Sequence, residues 1–377
     1  MSSNYCDVFI IGTGELGKWI VEILSRLPGM CYKKIIVGSF HEENAKKIAF
    51  SSWAGTSMIK MSPEIEYVKI NLLNIDETGM LLGKIRPKVI VNSTSLQSYL
   101  VKNETSRELW NNFKVETGIG PWLPIYLTLV YYLMRAVQKY KIKSYVINAS
   151  YPDLVNPVLS KVNLAPACGI GDGYLMVPGI KKYVAKELNV SPNNITVYLI
   201  AHHSHVKQFM IFNKPGTPYY LKIMVENRNV TNQFNPDNLI LFGLKKLYPN
   251  SILPLAASSA SSNTWHFLFG SGEIISCVSG PNGEIGGYPS IISSKGVKIS
   301  LPIEISMEEA RSINEEAQKK DGVEKIEKDG SVIFTDKAYQ SMKRLINYDC
   351  KKLKIIENKE RLNELVIKYN EHIQKYS

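Results

Sequence analysis

The feature that most restricts this chain sits almost at its start. "DVFII" is a short apolar run, the turn Gly12-Thr13-Gly14-Glu15-Leu16-Gly17 follows at once, and Trp19, Ile20, Ile23 and Leu24 then recur at helical spacing. A strand, a G-x-G-x-x-G turn and an amphipathic helix, in that order, form the fingerprint that grips a dinucleotide. Gly12 permits the tight turn, Gly14 lets backbone approach a pyrophosphate, and Gly17 lets the helix pack on the strand. The diphosphate then meets the N–H groups at the helix N-terminus. Gly12, Thr13, Gly14, Glu15, Leu16 and Gly17 are therefore the expected cofactor turn.

Strands and helices keep alternating after it. "KKIIVGS", "IEYVKINL", "KVIVNSTS" and "KSYVINASYP" read as strands. "HEENAKKIAFSSW", "IDETGMLLGKI" and a long apolar segment near 122–140 read as the helices between them. Such spacing predicts βαβ units and a doubly wound parallel sheet over residues 1–150. Ligands bind beyond the carboxyl ends of such strands. Those ends carry Ser39, Asn92, Ser93, Thr94 and Asn148, which join the cofactor contacts. At the end of the second strand an acid would hold the ribose 2′-hydroxyl. Here no acid occurs before Glu42, and Ser39 and His41, with Lys46 or Lys47, suit a 2′-phosphate. NADP is the expected cofactor, with NAD the alternative if Glu42 or Glu43 reaches the ribose.

Beyond residue 150 the pattern turns mixed, which predicts an α+β substrate domain over 151–325 and a charged helical extension over 326–377. "NNITVYLIAHHSHV" and "KQFMIF" read as strands. The chain has six histidines, and His202, His203 and His205 lie in the first of these. On a strand His203 and His205 share one face and His202 takes the other. Three readings stay open: acid/base catalysis by His203 with His205, a metal site, or histidines that serve only the fold.

Composition narrows the classes. The net charge is +11, but the lysines are spread among acids at helical spacing, as on a solvated surface, so no nucleic-acid partner is expected. No apolar run is long enough for a membrane span. The five cysteines are scattered with no C-x-x-C, and the start shows no secretory pattern. Reduced thiols and a cytoplasmic location are the expectation.

The order of these parts resembles the lactate/malate dehydrogenase superfamily, which includes the NAD-dependent family 4 glycosidases. The resemblance runs over residues 6–320. It is carried by the GTGELG turn, "INASYPD" where the family has S-N-P, the "IGDG" turn before a helix, and "ITVYLIAHHSHV" where a family strand ends in G-E-H-G. "GGYPSIISSKGV" is similar to the family's G-x-P-x-x-I-x-x-x-G-V hairpin, and "SMEEARSI" to the helix after it.

The resemblance implies a nicotinamide-dependent oxidoreductase acting on a carbonyl or imine of a small anionic metabolite, with His203 as general acid/base and a homodimer or homotetramer as the assembly. It places Arg107, in "ETSRELWNNF", at the flexible-loop arginine. It places Tyr151 where the family has asparagine, and Ser259 near the substrate. The chain departs from the pattern after "IGDG". There the family has an aspartate that orients the histidine and an arginine that binds the substrate carboxylate; this chain has neither. Asp172 and Lys182 flank the gap as substitutes. The departure leaves two other readings open: a metal-dependent glycosidase-like enzyme, for which the resemblance implies His203 with Cys168 as metal ligands, and a non-catalytic nucleotide sensor or scaffold.

Overall fold

The computed structural model describes residues 5–101, 104–171, 173–247, 251–272 and 275–375; Asp172 lies outside them. Its backbone is a nine-stranded sheet flanked by helices. The first six strands are β1 (Val8–Ile11), β2 (Lys34–Ser39), β3 (Glu64–Lys69), β4 (Val89–Asn92), β5 (Tyr145–Asn148) and β6 (Cys168–Gly169). They run parallel in the order β3-β2-β1-β4-β5-β6, the doubly wound arrangement expected from the sequence. Strands β1 and β4 are buried at every position, because helices cover both faces. Val8 and Ile10 belong to one apolar cluster and Phe9 and Ile11 to the other, the two-residue alternation of a strand.

The helices of this half are α1 (Glu15–Leu24), α2 (Glu42–Met58), α3 (Ile75–Ile85), α4 (Glu104–Thr117) and α5 (Leu123–Lys139). After β5 come α6 (Pro152–Ser160) and α7 (Gly173–Leu188). Pro178 lies inside α7, at its sixth position.

A second, antiparallel sheet follows, made of β7 (Ile195–Ile200), β8 (Tyr220–Val225) and β9 (Arg228–Asn229). Between β7 and β8 lies α8 (His203–Phe212). The strand expected to carry the histidines thus stops at Ile200, and "KQFMIF" is helical. Helices α9 (Pro236–Lys245) and α10 (Ile252–Phe269) lead back to the large sheet. There β10 (Ile275–Ser279), β11 (Gly287–Ser293) and β12 (Gly296–Ile299) add an antiparallel meander beside β6. The large sheet therefore continues across residue 150.

After α11 (Met307–Gln318) the chain forms a third small sheet, β13 (Val323–Ile326), β14 (Val332–Phe334) and β15 (Lys352–Leu353), with α12 (Asp336–Ile346) and α13 (Asn358–Gln374). This corrects the expectation of charged helices alone. The charge pattern hid short strands whose buried residues, Val323, Val332 and Phe334, join the core of the first half. The Tyr369 ring meets Trp110 and Trp122 edge-on at 6.1 and 5.6 Å, and its hydroxyl donates to the Ser106 carbonyl. The C-terminal segment is thereby fused to one face of the nucleotide-type sheet.

Candidate active site

The glycine turn has the geometry its sequence demands. Gly12 has φ +115, and a Cβ there would lie 2.6 Å from Ser93 Oγ. A Cβ on Gly17 would lie 2.0 Å from the Gly12 carbonyl oxygen, whereas one on Gly14 would meet nothing within 4 Å. Gly14 is the N-cap of α1 and supplies no side chain, so the first N–H groups face open space. A cavity of about 420 Å³ lies there, lined by Gly12, Thr13, Gly14, Ser39, His41, Ser93 and Thr94 together with apolar Phe40, Ile70, Leu72 and Leu129. Its described lining contains no carboxylate. Ser39 Oγ lies 2.9 Å from Thr13 Oγ1 and accepts the His41 N–H at 3.1 Å, which ties the second strand's end to the turn. A dinucleotide fits this cradle: small residues leave room for phosphates, and the apolar rim suits a base. Glu15 is exposed on α1. Asn92 and Asn148 line neither this cavity nor the next. Asn92 Nδ2 donates to Asn148 Oδ1, and Asn148 Nδ2 donates to Asn156 Oδ1, all buried beneath the strand ends.

A second cavity, about 190 Å³, lies beyond β5 and β6 and is lined by Ala149, Tyr151, Pro152, Asp153, Ile170, Gly171, Tyr174, Leu175 and His203, with Ile119, Tyr126, Ile252 and Ala256. Leu16, from the glycine turn, lines it too. Segments far apart in sequence thus put His203 and the nucleotide turn on one cleft.

The helical start of α8 separates the three histidines. His202 is its N-cap. Its Nδ1 accepts the Ser204 N–H at 3.1 Å, while its own N–H donates to His205 Nδ1 at 3.0 Å. The pair makes a capping box from two imidazoles. Because Nδ1 of His205 accepts, its proton sits on Nε2, which reaches the Pro218 carbonyl at 3.1 Å. Both rings are buried, and burial pushes His202 down to about 3 and His205 down as well. The pairing of His203 with His205 on one strand face is therefore replaced: His205 caps a helix inside the protein, and His203 alone lines the cavity.

His203 has a partner that the sequence did not disclose. Its Nδ1 lies 2.9 Å from Asp321 Oδ2, across 118 residues of sequence. The same oxygen accepts the Tyr151 hydroxyl at 3.1 Å. Burial, the largest influence, would raise the Asp321 carboxyl, but the charge and hydrogen bond of His203 with the charges of His202 and Lys207 together outweigh it and hold it down at about 2. A carboxylate at Nδ1 fixes the tautomer and leaves Nε2 as the nitrogen of proton exchange. Asp153 Oδ1 accepts the His203 backbone N–H at 3.3 Å, so the helix end is anchored on α6. Tyr151 has φ 45, a left-handed conformation uncommon for a bulky residue, and its ring meets that of His203 edge-on at 5.5 Å. The Asp321 turn packs against Gly118, where a Cβ would lie 2.3 Å from the Asp321 carbonyl. The local sequence "QKKDGVEK" reads only as a charged turn; nothing in its spacing marks Asp321.

The remaining expected residues fall elsewhere. Arg107 is exposed on α4 and lines neither cavity. Lys182 lines a separate cavity between α7 and α9. Ser259 is buried in α10, beside but not within the His203 cavity. Cys168 is fully buried in β6, where burial raises its thiol, and it does not line the cavity of His203. Among the described residues no group of three or more metal-ligating side chains converges.

Fold and site together define a two-part dinucleotide-type protein with a histidine–carboxylate pair on its cleft. Its fold is that of the lactate and malate dehydrogenases. A lactate dehydrogenase from a Medee basin deep-sea metagenome library superposes with a TM-score of 0.57 at 11% identity, over 84% of this chain and 96% of that one. Lactate dehydrogenase from Cryptosporidium parvum, solved with lactic acid and β-nicotinamide adenine dinucleotide, gives 0.57 at 14%, over 84% and 96%. Malate dehydrogenase from Plasmodium falciparum, in complex with NADH, gives 0.55 at 13%, over 83% and 94%. No protein-family model matches the sequence, and no curated protein does. The likeness is one of fold, at a distance that marks a divergent chain.

Proposed function

We propose that this protein is a nicotinamide-dinucleotide-dependent oxidoreductase that reduces a carbonyl or imine, with His203 as proton donor. The observation that carries the reading is the shared cleft: Leu16 of the glycine turn and His203 line one cavity, and Asp321 holds the imidazole at Nδ1. Gly12, Gly14 and Gly17 would hold the diphosphate of a reduced nicotinamide dinucleotide, which would supply a hydride. The carbonyl carbon accepts that electron pair, the C=O π pair moves onto oxygen, and Nε2 of His203 gives that oxygen its proton. Asp321 stabilises the imidazolium before transfer and keeps the ring oriented. The Tyr151 hydroxyl, bonded to the same carboxylate, helps hold it in place. The apolar walls exclude water from the reacting atoms.

We take NADP as the preferred form because the described lining near Ser39 and His41 has no carboxylate for a ribose 2′-hydroxyl, though Lys46 and Lys47 do not line it to hold a 2′-phosphate. Fluorescence titration with NADH and NADPH tests this directly. His203→Ala should bind nucleotide as the wild type does and lose at least about a hundredfold in turnover. Unchanged turnover would leave the nucleotide turn standing and move the acid to another residue.

A further inference from the structure

The His203 cavity also constrains the charge of what enters it. Helix α7, where the resembling family places a carboxylate-binding arginine, presents Tyr174 and Leu175 to this cavity. The Tyr174 hydroxyl is already committed to Asn263 Oδ1 at 2.6 Å. Leu16, Ile119, Ile170 and Ile252 make most of the remaining wall apolar. Besides His203, the charged side chain in the described lining is Asp153, and Asp321 stands directly behind the imidazole. No lysine or arginine appears in that lining. Lys207, on α8, donates its ammonium protons to the carbonyls of Lys114 and Val115. Lys182 belongs to a different cavity, and Arg107 is exposed.

A carboxylate entering here would lose its water against apolar walls and meet one cation, the His203 imidazolium, which Asp321 already pairs and Asp153 adjoins. Desolvating an anion against a cation that a buried carboxylate already neutralises is costly in a protein interior. An uncharged carbonyl needs only a donor for its oxygen, which His203 supplies. Resting on the reading of His203 as proton donor, we infer that the substrate is an uncharged aldehyde or ketone with a short apolar body, rather than a 2-oxo acid. The cavity's 190 Å³ corresponds to about six water molecules of space, which suits a compound of that size. The reaction is then reduction of the uncharged carbonyl to its alcohol, with reduced nicotinamide dinucleotide as the two-electron donor and the His203 proton replaced from solvent. This replaces the anionic metabolite expected from the resemblance.

The test uses the full chain saturated with NADH or NADPH and compares two small carbonyl analogues by calorimetry: oxamate, a carboxylate, and isobutyramide, which is uncharged. Isobutyramide should bind the more tightly, by about tenfold or more, since oxamate carries a charge that the Asp321-paired imidazolium does not balance. Equal or tighter binding of oxamate, or binding of neither, overturns the inference and leaves the nucleotide reading intact. Failure of both nucleotides to bind overturns the underlying reading instead, and the two failures are thereby told apart.

Discussion

Replacing Asp321 with asparagine keeps the shape of the side chain and removes its charge. In the protein, Oδ2 stands 2.9 Å from His203 Nδ1 and also accepts from Tyr151. At that distance and an effective dielectric of about 20, the gross attraction to an imidazolium is about 6 kcal/mol. Competing solvation reduces the net value of a hydrogen bond to a charged group to about 1.5–3 kcal/mol. Asp321→Asn should therefore lower kcat/KM for carbonyl reduction by roughly 10- to 150-fold. An amide N–H turned toward Nδ1 would also favour the wrong tautomer and add to the loss.

The sign of the pH effect follows. Reduction requires the imidazolium, so activity holds at low pH and falls as pH rises. The carboxylate favours the charged ring, and without it the fall comes at lower pH. Steady-state kinetics from pH 5 to 9, with NADPH affinity as the control, measure both effects. A variant within about threefold of wild type, with its alkaline limb unmoved, would show that His203 works without Asp321, and the dyad would be discarded.

Two further outcomes test the frame around the site. Gly14→Ala should fold with an unchanged melting temperature, since its Cβ meets nothing within 4 Å, yet weaken NADH and NADPH binding by about tenfold or more; Gly17→Ala, whose Cβ would lie 2.0 Å from the Gly12 carbonyl, should lose stability as well. If Gly14→Ala binds nucleotide normally, the diphosphate does not cross that turn. Burial sets His202 at about 3 against an unfolded value near 6.5, so the unfolded chain takes up the proton first. Stability present above pH 6.5 should be lost as pH falls toward 3, on the order of a few kcal/mol. His205, also pushed down by burial, adds to the same slope. His202→Asn should cap the helix without titrating and flatten the melting curve between pH 6.5 and 4, above the range where Asp321 protonates. An identical slope in the variant would show that His202 carries no such linkage.

By itself the sequence determined everything that depends on near neighbours. The strand, glycine turn and helix over residues 8–24 lie together in the chain, and their chemistry leaves one way to fold. The parallel order of β1–β6 follows from alternation and right-handed crossover. The likeness of the whole to a dehydrogenase fold was legible from the order of motifs, and so was His203 as a candidate for the cleft. Tertiary structure decided which histidine could act. A helix start at residue 203, rather than a continuing strand, put His202 and His205 into a cap and left His203 on the cavity. That switch depends on packing, with Ser204 Oγ bonded to the Ala317 carbonyl of α11, and no local propensity reveals it. The orienting carboxylate was hidden for the same reason. The chain departs from the family's aspartate position after "IGDG" and returns a carboxylate to His203 from 118 residues downstream. A charged turn shows in sequence only as a solvated loop. It becomes buried and specific where it packs against Gly118, in a C-terminal segment whose α12 lies on α4 and α13 on α5.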